Sequence, residues 1–96
     1  MSPKNKKKLN LIRIKLDKLD NKLLDLIKYR TYLVKEVLKL KEFKKEIVDK
    51  KRINFILNKI KDKSIMLNID PKITKRIWKN MIWSYIDYER RNFKKK

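Results

Sequence analysis

The sequence contains no cysteine and no histidine. That double absence removes disulfides, thiolate and imidazole nucleophiles, imidazole general bases and nearly all zinc chemistry. Any catalysis is left to Lys, Arg, Asp, Glu, Tyr or Ser, and neither a metal nor a cofactor is expected. Glycine, alanine and glutamine are missing too, while Lys, Ile, Leu, Asn and Asp are plentiful, the bias that a very AT-rich genome produces. Long apolar runs are also absent. Behind the basic start, LNLIRIKL is broken by Asn, Arg and Lys, so no secretory signal or membrane span is expected and the cytoplasm is the default compartment.

What is present is charge. Thirty Lys and Arg face eleven Asp and Glu, a formal net charge of +19. Most of these cations are lysines of the kind that decorate a solvated surface. A chain this basic can also bind nucleic acid or an anionic membrane, because neutralising phosphates releases counterions. The runs KNKKK and KKK lie in segments read as basic tails, residues 1–8 and 94–96. Trp78, Trp83, Tyr85 and Tyr88, however, fall in a core-like helix rather than in an exposed array. Neither nucleic acid nor a membrane is therefore the expected partner.

At 96 residues the chain reads as one domain spanning 1–96. Chains of this size bury only part of their apolar surface and often gain stability by oligomerising. Leu9, Ile12, Leu16, Leu19, Leu23, Leu26, Arg30, Leu33, Val37 and Leu40 follow one another at alternating spacings of three and four, a heptad seam interrupted once. A helix over about 8–42 would be roughly 50 Å long at 1.5 Å per residue, too long for so small a globule to cover alone. The segment 42–49 reads as a linker ending in Asp49 as N-cap. A second helix follows over about 50–64, with Ile53, Ile56, Leu57 and Ile60 on one face. Asp70 followed by Pro71 signals the start of a third, over about 71–93. The predicted fold class is all-α with three helices per chain.

Polar residues on the apolar faces are the candidate functional groups. Arg30 interrupts the seam of the first helix, and Lys41 lies eleven residues further on, on the same side and about 16 Å along the axis. Glu89 follows Tyr85 by four residues and Ile82 by seven, which puts an acid on the apolar stripe of the third helix. Arg13 precedes Arg30 by seventeen residues, roughly 25 Å along the axis, so it serves the same pocket only if another copy supplies it. An antiparallel two-fold pairing of the long helices would do so. The structural alternative makes Arg30 a registry device paired with an acid of a partner helix, and Lys41 a complement to the helix dipole. Taken together with Arg52, cations converging with one acid suit a small dianionic substrate whose reaction needs positioning and electrostatic stabilisation rather than covalent catalysis.

The stretches IRIKLDKLDNKLLDLIKYRTYLVKEVLKLK (12–41), VDKKR (48–52) and IDPKITKRIWKNMIWSYIDYE (69–89) resemble the AroQ-class chorismate mutases, small all-helical enzymes. The likeness runs over residues 12–93. It implies an intertwined helical homodimer with two equivalent sites and a single small-molecule substrate, chorismate, rearranged to prephenate on the route to phenylalanine and tyrosine. By the same resemblance, Arg30 binds a substrate carboxylate, as does Arg13 from the partner chain. Lys41 lies near the enolpyruvyl carboxylate and the ether oxygen, Asp49 and Arg52 match the Asp-x-x-Arg segment, and Glu89 matches a late residue that is commonly Gln.

The chain departs from the family pattern at three positions. Ile53 stands where many members have an acid that helps hold the substrate hydroxyl. Tyr85 stands where a small polar residue is common, and Glu89 replaces Gln. A carboxylate only accepts hydrogen bonds, whereas the protonated acid donates one, so Glu89 is expected to act in its protonated form. Isochorismate pyruvate lyase, similar in fold and in its set of cations, is the alternative within enzymes. A basic helical dimer that binds nucleic acid is the alternative outside them.

Overall fold

The computed structural model describes residues 1–94. Three α-helices carry it: α1 over Pro3–Leu40, α2 over Lys50–Met66 and α3 over Pro71–Asn92, with one short 3₁₀ turn at Lys44–Glu46 between α1 and α2. No strand occurs among the described residues, and the expected three-helix, all-α architecture stands.

The helix ends follow from capping chemistry. Asp49 caps α2, its side chain accepting from the Arg52 amide at 3.0 Å. Asp70 caps α3 by accepting from the Lys72 amide at 2.9 Å, with Pro71 in the first turn. Both match the reading of the sequence.

Three boundaries differ from it. Most of the segment read as a basic tail, residues 1–8, is helical, because Ser2–Pro3 repeats the Asp70–Pro71 device. The Ser2 hydroxyl accepts from the Asn5 amide at 3.2 Å, and its carbonyl accepts from the Lys6 amide at 2.9 Å. At the other end, α1 stops at Leu40 rather than residue 42, where the Lys41 amide turns back to the Leu38 carbonyl at 3.2 Å. This i to i+3 bond is the tightening common in a last turn.

The third difference is α2, which runs on to Met66. It ends when the Ile69 amide bonds the Ser64 carbonyl at 2.9 Å and the Asn68 amide bonds the Ile65 carbonyl at 3.2 Å. Those two bonds form a Schellman motif. It needs a left-handed residue after the cap, and in a chain without glycine Asn68 takes that place at φ 56°. Of the second basic tail, Lys94 is exposed beyond α3, and Lys95 and Lys96 lie outside the described residues.

The chain divides into two compact units at Leu33/Val34. The first consists of the earlier part of α1 and buries no side chain. Leu16, Leu19, Leu23 and Leu26 of the predicted seam are each about half exposed or more there. The second unit holds the end of α1, the 3₁₀ turn, α2 and α3. Its core is Ile47, Ile82 and Ile86, with Val48, Ile53, Ile56, Leu57 and Phe93 packed against it.

A buried hydroxyl pair pins the α2–α3 corner. Ser64 Oγ lies 2.6 Å from the Ile60 carbonyl and 2.7 Å from Thr74 Oγ1. Ser64 has one hydroxyl proton. If it goes to Ile60, Thr74 donates to Ser64, and the 3.4 Å approach of Thr74 to the Pro71 carbonyl is secondary.

Candidate functional site

On α3, Ile82, Ile86 and Glu89 are spaced four and three residues apart and share one face. All three are buried, Glu89 to 5% residual exposure. An acid on that face needs a partner, since an isolated buried charge is strongly disfavoured. Lys41 supplies it. Its ammonium donates to Glu89 Oε2 at 2.9 Å, with the two side chains 17% and 7% exposed.

The lysine reaches this point from the residue just after α1, not from within the helix as its spacing from Arg30 implied. The end of α1 is fixed on α3 a second time: the Lys35 ammonium lies 6.0 Å from the Tyr88 ring centroid, within the range of a cation–π interaction. Sequence reasoning missed that interaction. Lys35 carries no signal of its own, and Tyr88 reads as one more aromatic of α3.

The other candidates are distributed as follows. Asp49 and Arg52 are joined through the cap of α2, side chain to backbone, and the Arg52 guanidinium lies 5.5 Å from the Phe55 ring. Asp49 is thus first a helix cap. Ile53 is half-buried against the isoleucine core and lines a cavity of about 280 Å³ with Val48, Leu57, Ile82 and Trp83. Tyr85 is half-buried on α3, four residues before Glu89. Arg13, exposed, and Arg30, half-buried, both belong to α1 in the first unit. The structure therefore joins Lys41 directly to Glu89, and Asp49 to the backbone of Arg52.

Among the described residues, no group of three or more Asp or Glu side chains is placed to hold a metal ion. Among the described residues, no helix is long and apolar enough to cross a membrane. Nor, among the described residues, does a buried side-chain nitrogen or oxygen lack a hydrogen-bond partner. A shielded ammonium–carboxyl pair of this kind suits the stabilisation of charge that develops during a reaction, without a covalent bond to the protein.

Residues 12–90 match the family described as chorismate mutase type II. The chain matches no curated protein and no solved structure. The family match spans most of the chain, so the protein belongs to the type II, or AroQ-class, chorismate mutases, which are isomerases acting on the small molecule chorismate.

Proposed function

We propose that this chain converts chorismate to prephenate, on the route to phenylalanine and tyrosine, as a homodimer whose sites draw on both subunits. The single observation that carries the reading is the buried Lys41–Glu89 pair. In the reaction an ether carbon–oxygen bond breaks as a carbon–carbon bond forms within the same molecule. No group is transferred to the protein, and negative charge gathers on the ether oxygen.

Lys41 has three N–H donors, of which Glu89 takes one. The others are available to the ether oxygen and the enolpyruvyl carboxylate. Glu89, as the carboxylate of that pair, accepts from the ammonium and holds it in place beside the ether oxygen. Donors held in place for developing charge are each worth about 2.7–4 kcal/mol of barrier, or 10²–10³ in rate. Arg30 clamps one substrate carboxylate and Arg13 of the partner subunit another. Asp49 and Arg52 border the site from the start of α2, and Ile53 and Tyr85 shape it. Because Ile53 accepts no hydrogen bond, the substrate hydroxyl must be held by other groups.

Dimerisation is supported by the apolar seam of α1. Its leucines have no cover within the first unit, and a two-fold pairing of identical faces would cover them. The test is to supply purified protein with chorismate and, separately, isochorismate, and identify the products. Prephenate from chorismate is the expected result. Pyruvate from isochorismate without prephenate would assign the lyase of the same fold, and no turnover of either would refute both.

A further inference from the structure

A second feature of the α2–α3 hairpin is unconnected with the Lys41–Glu89 pair. Two cavities, of about 280 and 360 Å³, lie along the seam between the helices. Asn54 and Leu57 line both of them, so they form one continuous groove. Its rims carry Lys50 and Lys79 in one half and Lys61, Lys72 and Lys75 in the other, all exposed. No acidic side chain lines either half.

Lys50 and Lys61 are eleven residues apart on α2, about 16 Å at 1.5 Å per residue. The cations are therefore strung along the groove rather than gathered at one point. The floor is apolar, with Ile53, Leu57 and Ile82, and the indole of Trp83 stands on the wall at 45% exposure. Asn54 and Asn58 add amides able both to donate and to accept. Ile53 is the single residue this groove shares with the proposed substrate set, and the half around Lys61, Lys72 and Lys75 contains none of it.

Spaced cations, an apolar floor and an exposed aromatic face are the elements with which proteins bind single strands, the cations following the backbone and the ring stacking a base. A compact dianion would need cations converging on one point, and an acidic peptide gives the indole no base to stack on. Of the four aromatics that the sequence places in a core-like helix, Trp78, Tyr85 and Tyr88 are half-buried and Trp83 is exposed.

We propose that the α2–α3 groove binds single-stranded nucleic acid, with phosphates on Lys61, Lys72 and Lys75 and a base against Trp83. Binding of this kind is tolerant of sequence and weakens with salt.

The experiment titrates the full chain with a fluorescently labelled oligothymidylate at several salt concentrations, following anisotropy and tryptophan emission. The expected result is saturable binding, with quenching of emission that is lost in Trp83→Phe. In the triple variant Lys61→Glu, Lys72→Glu, Lys75→Glu, affinity should fall at least about tenfold and the salt slope by about two, at roughly 0.7 for each phosphate no longer neutralised. Helical content and melting temperature should stay unchanged.

The control carries the same charge change elsewhere, at Lys6, Lys7 and Lys8. An equal loss of affinity in that control would show mere attraction to a basic protein and overturn the proposal. So would quenching that persists in Trp83→Phe, or complete displacement of the oligonucleotide by inorganic triphosphate at equal phosphate concentration.

Discussion

Replacing Lys41 by Met leaves the buried Glu89 carboxyl without the ammonium that now lies 2.9 Å away. Removing one partner of a buried ion pair costs about 3–5 kcal/mol. The Lys41 side chain keeps 17% of its exposure, which gives water some access, so the lower end applies, about 3 kcal/mol. For a domain of this size each kcal/mol moves the melting temperature by about 4–8 °C, so Lys41→Met should melt roughly 12–24 °C below the parent. The double variant Lys41→Met, Glu89→Leu replaces the pair by apolar groups, an exchange that is often neutral or stabilising. It should recover about 2 kcal/mol or more of the loss. Turnover behaves differently. Each variant loses a donor to the developing charge and should fall by about 10²–10³, and the double variant should recover none of it. The assays are thermal unfolding followed by circular dichroism at one fixed protein concentration, because an oligomer's stability depends on concentration, and chorismate consumption. A double variant that regains activity along with stability would refute the electrostatic role. A Lys41→Met protein that melts and turns over like the parent would refute the pair itself.

Two further outcomes follow from the same site. If Glu89 holds the Lys41 ammonium in place, Glu89→Gln, whose amide oxygen still accepts from that ammonium, keeps more of the turnover than Glu89→Leu, which accepts nothing; equal turnover in the two variants would sink the idea. If each site takes Arg13 from the other chain, Arg13→Ala and Arg30→Ala proteins are each nearly inactive. Mixed in equal amounts under exchanging conditions, they should recover about a quarter of parental activity, since half the dimers are mixed and each of those has one intact site. No recovery, with exchange verified by mass, would place both arginines in the same chain's site.

What the sequence reveals and what it hides divide along the range of the interactions involved. Asp49 and Asp70 are legible as caps because each bonds an amide two or three residues away. Glu89 is legible as an anomaly because helical period alone puts it beside Ile82 and Ile86. Ser2–Pro3 carries the same local signal as Asp70–Pro71, yet the lysines behind it read as a solvated tail, although lysine is a good helix former. The place where α1 stops is not local information. Lys41 ends the helix with its ammonium on an acid 48 residues away, and the Ser64–Thr74 pair exists only once α3 has folded back on α2. Trp83 shows how one residue of register decides between core and surface. Ile82 is buried, and the next residue on a helix is rotated about 100° from it, which carries the indole out of the core onto the groove wall. A run of aromatics and isoleucines in sequence is thus two faces in space, one closing on Glu89 and the other carrying the exposed indole.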